Sequence, residues 1–197
     1  FYIVIINYFV IPIIPKIFET NDNDKLILME DFGNNRYDKI INDHDVKELL
    51  LNAIESQIKI QNSEKPTVNE GFKEYNYSFF REEITEFVDY YLPLLNATTD
   101  QKQEFLQIWT EEFEKLNFKW DSFVHKDFEF SNLMYLPHKE NLMKCGILDF
   151  QNAFIGFSGW DIFSLLENPR INFDEKYNEG LIEYFYNKSV KKISYKD

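Results

Sequence analysis

The chain's 197 residues, 44% of them hydrophobic, suffice to bury a real core in one or two compact units. A net charge of −13 argues against a nucleic-acid or membrane-surface protein, which needs basic patches, but leaves nucleotide binding open, because a divalent cation brings positive charge locally. The single cysteine, Cys145, cannot form an internal disulfide and is expected as a buried packing residue of a protein kept in a reducing cytoplasm.

The opening FYIVIINYFVIPIIP is apolar, but Asn7 and two prolines interrupt it and no basic flank precedes it. It is too short and broken for a membrane span and lacks a signal peptide's layout. With no initiating Met, it reads as the interior of a domain cut open, leading through a loop at 12–15 to a short strand at 16–19. An Asn- and Asp-rich turn at 21–24 follows. The near-continuous apolar run of 25–30 then predicts a strand buried on both faces. It ends in EDFG, which taken alone is an ordinary strand-to-helix turn stopped by Gly33.

Asn42 or Asp43 is placed to cap a helix whose apolar stripe is Val46, Leu49, Leu50, Ala53 and Ile54, with His44 solvent-facing in its first turn. Residues 62–71, with Pro66 and no periodicity, predict a loop. A helix over 77–95 would turn Phe80, Ile84, Phe87, Val88 and Tyr91 inward. Arg81, Glu82 and Glu83 would form a solvated face, unless one of these acids lines a pocket. Thr98 with Gln101 makes a capping box. The helix it starts, to about Leu116, is expected to pack Phe105, Leu106, Ile108, Trp109 and Phe113 beneath the loop that follows and hold that loop rigid.

The most informative stretch is 123–152, FVHKDFEFSNLMYLPHKENLMKCGILDFQN. It reads strand, tight loop, strand, turn, strand, and it carries polar groups where a buried segment would not tolerate them. His125, Asp127 and Asn132 stand in the spacing HxDxxxxN. After a hairpin bent at 137–141, the apolar run CGIL delivers Asp149. Two acids and an amide at the ends of apolar strands suit a site for metal ions and a phosphate, in the order found in kinase catalytic machinery. Phosphoryl transfer needs mostly positioning and charge neutralisation from a protein. Asp127 would accept or orient the hydroxyl proton of the acceptor. Asn132 and Asp149 would offer a neutral and a charged oxygen to Mg²⁺ ions bridging the phosphates of ATP. His125 suits fixing the loop by hydrogen bonds better than titrating. In such machinery EDFG is the hinge between two lobes, with the backbone of Glu30, Asp31 and Phe32 facing the adenine edge. A lone HxD would signal no more than a hairpin with solvated ends; the full order is far more specific.

Beyond Asp149 come Gln151-Asn152-Ala153, then a helix starting near Gly159. Its Asp161 either complements the helix dipole, caps backbone amides or braces the His125 loop. A last amphipathic helix is expected over 174–190, with a polar tail after it. Internal repeats and low-complexity linkers are absent from the sequence.

VHKDFEFSNLM, GILDFQNAFIG and WDIFSLLENPR, in that order, resemble the aminoglycoside-phosphotransferase-like family of small-molecule kinases, and within it the bacterial N-acetylmuramate/N-acetylglucosamine anomeric kinases. LILMEDFG is similar to that family's hinge, and FFREEITEFVDYYL to one of its helices. The resemblance extends from about Ile11 to Arg170. It implies an α+β, protein-kinase-like fold, mostly the helical C-lobe with its catalytic hairpin plus the end of the N-lobe sheet. Residues 1–32 would be the N-lobe remnant and hinge, and 33–197 the C-lobe, cut short at its C-terminal end. The implied activity is ATP- and Mg²⁺-dependent phosphorylation of a free amino sugar at its anomeric hydroxyl, in the cytoplasm, within cell-wall recycling. Another small-alcohol or aminoglycoside kinase, or a non-catalytic remnant, are the alternatives. The resemblance assigns Asp127 as base with His125 beside it. It makes Asn132 and Asp149 metal ligands, the backbone of Glu30, Asp31 and Phe32 the nucleotide hinge, and Gln151 and Asp161 supports of the site. Lys126 replaces the family's common Arg, and Trp160 its usual Tyr. The family's phosphate-covering loop and phosphate-binding Lys have no counterpart in this sequence, so residues 1–197 alone are expected to lack detectable activity.

Overall fold

The structure, a computed structural model, describes residues 14–63, 72–116, 120–139, 144–171 and 177–189. The expected opening strand or helix end, most of the 62–71 loop, the tip of the hairpin, the start of the last helix and the polar tail lie outside the described residues.

Strands β1 (Ile17–Asn21) and β2 (Leu26–Met29) form an antiparallel pair. Their turn is closed by Asn21, whose side chain donates to Asp24 Oδ2 at 2.8 Å and accepts from the Asp24 amide at 3.1 Å. The expectation that this apolar strand is buried on both faces is not met: Leu26 is 63% and Leu28 59% exposed. A two-stranded ribbon has no second layer to cover its faces, whatever its hydrophobicity.

Past the short helix α1 (Tyr37–Ile40) comes α2 (Val46–Asn62), capped by Asp45, which accepts from the Lys47 amide at 2.9 Å. The cap is therefore neither Asn42 nor Asp43, which fall in the turn before it. His44 is exposed as expected, and its ring meets Tyr135 edge-on at 5.0 Å. Leu49, Leu50, Ala53 and Ile54 are buried, making α2 the helix at the centre of the main core.

The expected helix over 77–95 is three pieces: α3 (Tyr77–Glu86), a π-helical turn Phe87–Tyr91 and a 3₁₀ turn Leu92–Leu95 carrying Pro93. The extra residue of the π turn rotates the face, so of the aromatic stripe Phe87 and Tyr91 lie exposed while Val88 is buried. Helix α4 (Thr99–Lys115) begins with the predicted capping box, Gln101 N–H to Thr98 Oγ1 at 3.2 Å and Thr98 N–H to Gln101 Oε1 at 2.9 Å. No residue of it is buried; it lies against α3 through ring pairs such as Phe80–Phe113 at 4.5 Å, and its Phe113 also packs on the cluster of Tyr75, Val124 and Phe154.

A three-stranded sheet of order β3-β7-β4 joins β3 (Lys73–Glu74), β7 (Phe154–Phe157) and β4 (Trp120–Val124), with β3 parallel and β4 antiparallel to β7. Strands β5 (Leu133–Tyr135) and β6 (Cys145–Ile147) form the predicted hairpin, with Cys145 buried as expected. Helices α5 (Trp160–Leu166) and α6 (Asn178–Lys188) follow, and Leu165 and Phe185 are buried against the α2 core. No helix among the described residues is long and apolar enough to cross a membrane.

Candidate active site

The site lies where β4 ends and the β5–β6 hairpin begins and closes. The backbone of one residue ties the parts together. Leu148 N–H donates to the Asn132 carbonyl at 2.9 Å, and the Leu148 carbonyl accepts from His125 Nε2 at 2.7 Å. Asp149 is the next residue, so this pair of bonds gathers His125, Asn132 and Asp149 at one place.

His125 is fully buried, and its Nδ1 has no partner among the described residues. Because Nε2 faces a carbonyl, that nitrogen carries the proton. Burial pushes the imidazole down from 6.5 to about 4, against the pull of the Leu148 carbonyl and of the Asp127 and Asp149 charges. The folded value lies below the unfolded one, so the stability attached to the neutral ring is whole above pH 6.5 and is lost as the pH falls towards 4. The ring is thus a structural bracket at neutral pH. Its Cε1–H NMR resonance is expected to stay fixed from neutrality to about pH 5.5. A shift with a midpoint near 6.5 would show that the ring titrates as an exposed one.

The loop itself hangs on Asp161, which is 1% exposed. Its Oδ2 accepts from the His125 amide at 2.8 Å and from Gln57 Nε2 at 2.7 Å, and its Oδ1 accepts from the Lys126 amide at 3.1 Å. Of the readings open for Asp161, the structure favours the brace on the His125 loop. Burial pushes this carboxyl up to about 7 against the three donors, so its pH contribution runs opposite to that of His125 and weakens as the pH rises through that value. Gln57 was not legible as a site residue, and neither was its neighbour Gln61, whose Nε2 donates to the Phe123 carbonyl at 2.9 Å. The helix that anchors the loop by hydrogen bonds is therefore α2.

Lys126 adopts a left-handed backbone (φ 79°), rare for a residue with a side chain, and Asp149 does the same (φ 72°). Two such residues in one loop cluster mark a place where the fold holds strain. Lys126 Nζ reaches Glu83 Oε1 at 2.7 Å, and the other Glu83 oxygen accepts from Tyr75 Oη at 2.8 Å. Of the three charged residues expected on a solvated face, Glu83 is thus turned towards the loop.

Asp127 follows, half-buried. Its backbone carbonyl accepts from Asn132 Nδ2 at 2.8 Å, and its carboxylate Oδ2 accepts from Asn152 Nδ2 at 2.9 Å. Among the described residues, Asp127 Oδ1, Asn132 Oδ1 and the Asp149 carboxylate accept no hydrogen bond. Gln151, expected as a support of the site, makes no side-chain hydrogen bond among the described residues. It is exposed on the 3₁₀ turn Phe150–Asn152, and its neighbour Asn152 makes the contact instead.

The Glu30–Phe32 segment is drawn to the same hairpin. The ring of Phe32 lies over Gly146, where an added Cβ would come within 2.6 Å of it. Tyr135 N–H donates to the Asn35 carbonyl at 2.7 Å. The segment is locked from within: Glu30 N–H donates to the Lys16 carbonyl at 2.7 Å, and Asp31 Oδ1 accepts from Gly33 N–H at 2.7 Å.

A family model described as phosphotransferase enzyme family matches residues 28–189. The N-acetylmuramate/N-acetylglucosamine kinase of Neisseria meningitidis serogroup B is 24% identical over 183 residues, which cover 89% of this chain and 52% of that protein. The protein of the same name from Caulobacter vibrioides is 38% identical over 48 residues, 24% of this chain and 13% of that one. The chain thus spans at most about half the length of these relatives. Among solved structures, the ADP-bound aminoglycoside phosphotransferase APH(2'')-Ib superimposes with a TM-score of 0.65 at 15% identity, over 93% of this chain and 64% of that one. A likeness at that identity speaks for the fold, which is the α+β, protein-kinase-like fold expected from the sequence.

Proposed function

The chain belongs to the phosphotransferase enzyme family, and from that membership we propose that it moves the γ-phosphoryl group of ATP onto a hydroxyl of a small molecule, the anomeric hydroxyl of N-acetylmuramate or N-acetylglucosamine. The observation that carries the reading is the Asp127 carboxylate, anchored on one oxygen by Asn152 and left with the other unpaired beside the Asn132–Asp149 pair. A carboxylate so held is oriented to accept the proton of an attacking hydroxyl. His125, neutral at working pH, and Asp161 keep the backbone of that loop in place. The backbone of Glu30, Asp31 and Phe32 is the proposed resting place of the adenine.

The donor set fits Mg²⁺. Among the described residues no cluster of three or more His, Cys, Asp or Glu side chains provides a full protein cage. One neutral and one anionic oxygen, from Asn132 and Asp149, match an ion that takes its remaining ligands from water and phosphate. Their neighbours support that use, because the Asn132 amide nitrogen is fixed on the Asp127 carbonyl and its oxygen is left over. When bound, Mg²⁺ would neutralise charge on the phosphates.

The amino-sugar acceptor is supported by the names of the two relatives, and the cytoplasm is the proposed site of the reaction because ATP is the donor. The aminoglycoside phosphotransferase neighbour favours a second acceptor class. One panel, run on a form of the protein that includes the phosphate-clamping N-lobe, separates the two: ATP, Mg²⁺ and, in turn, N-acetylmuramate, N-acetylglucosamine, choline and an aminoglycoside, read by phosphorus NMR. A phosphate doublet coupled to the anomeric proton is the expected product. Phosphate on the 6-hydroxyl, or on the aminoglycoside alone, overturns the anomeric assignment.

A further inference from the structure

Next to the Asp127 carboxylate the surface sinks into a pocket of ≈ 310 Å³, lined by Lys73, Phe79, Lys126, Gln151, Asn152 and Phe154 together with Ala153. That is the low end of the range for small-molecule sites, roughly 300–1,000 Å³, and suits one sugar ring better than a multi-ring ligand. Asn152 connects the pocket to the chemistry, since the same amide that lines it donates to Asp127 Oδ2 at 2.9 Å.

The charge of this pocket is unusual for the chain. The sequence as a whole carries −13, yet no acidic side chain lines the pocket, and two lysines do. Lys126 is engaged by Glu83 at 2.7 Å, and Tyr75 holds the second Glu83 oxygen, so that pair is close to neutral. Lys73 differs. Among the described residues its side chain has no ion pair and no hydrogen bond, and its Nζ stands 5.7 Å from the centre of the Phe79 ring. It sits on β3, fixed by pairing with Phe154, and is a cation left over for a ligand. Along α3 another groove, lined by Glu82, Glu86 and Asp89 against a single Arg81, has the opposite balance. A polycationic acceptor finds its complement there, away from Asp127, and meets a positive charge beside the reactive carboxylate.

Resting on the phosphotransfer reading, we infer that this pocket is the acceptor subsite and that Lys73 selects acceptors carrying a carboxylate on a sugar-sized ring. The ring packs its apolar face on the half-buried Phe79, its hydroxyl meets Asp127 Oδ1, and its acidic group meets Lys73 Nζ. The relatives' two named sugars differ in this respect, because N-acetylmuramate carries a lactyl carboxylate and N-acetylglucosamine does not.

Titration calorimetry with each sugar at low salt reads the ratio of the two affinities. The acidic sugar is expected to bind about tenfold tighter, the value of one charge-assisted contact at a partly exposed site. The ratio should fall to about one in Lys73→Met, survive in Lys73→Arg and reverse in Lys73→Glu. A ratio that ignores Lys73, a loss of ADP affinity in its place, or no heat with either sugar overturns the inference. Each of these leaves phosphotransfer standing if the NMR panel still yields product. A panel without product on any acceptor removes both.

Discussion

In a form of the protein that includes the phosphate-clamping N-lobe, replacing Asp127 by alanine is expected to lower kcat for phosphoryl transfer by about 10²–10⁴-fold while leaving KM for ATP nearly unchanged. The direction follows from how the side chain is held. Its backbone is fastened by Asn132 and one carboxylate oxygen by Asn152, so its single unpaired oxygen is presented without loss of further rotational freedom. Nothing in the core depends on the side chain, which is half-buried and touches no other described hydrogen-bond donor. The variant should therefore fold and bind nucleotide as the parent does. Turnover equal to the parent's would remove the proton-accepting role, and a matching collapse of melting temperature would recast Asp127 as a structural residue.

Asp161→Ala should fail in the opposite way, through the fold. The substitution orphans three buried donors, the amides of His125 and Lys126 and the Gln57 side chain. Each costs about 1–3 kcal/mol when left without an acceptor, and a domain has only about 5–15 kcal/mol in total. Melting is expected to drop by roughly 10 °C or more. Asp161→Asn, which keeps one acceptor oxygen, should fall between. A melting temperature within a degree or two of the parent's, by differential scanning calorimetry, would show that the loop does not hang on this carboxylate.

What was legible in the sequence was what depends on local order. HxDxxxxN, the hairpin and the LDF strand end each sit within one run of chain, and the structure assembles them through the backbone of Leu148. The capping box at Thr98 is likewise local. The misreadings share a different cause. Apolar periodicity predicted burial for Leu26 and Leu28, for Phe87 and Tyr91 and for the face of α4, but burial needs a partner layer, and periodicity does not name the partner. Gln57 and Lys73 escaped notice because an isolated Gln in a helix or Lys at a strand reads as a solvated residue until tertiary contacts are known. Asn152 stood beside the Gln151 that resemblance pointed to, and only the turn geometry decides which of two adjacent amides faces the carboxylate. Family membership and fold followed from the ordered motifs, whereas acceptor chemistry depended on side chains that come together only across the sheet.

The grip of one helix on the site sets an order of events. Ser56, Gln57 and Gln61 hold partners 89, 104 and 62 residues away, at Cys145, Asp161 and Phe123. Closing such long segments costs chain entropy before any contact rewards it. The loop has short-range bonds of its own, from Asn132 Nδ2 to the Asp127 carbonyl for one, but its anchorage waits on those long closures. It reaches its working shape only once residues 123–161 have docked on α2, so a molecule in which those long-range contacts have melted loses the proposed reaction centre.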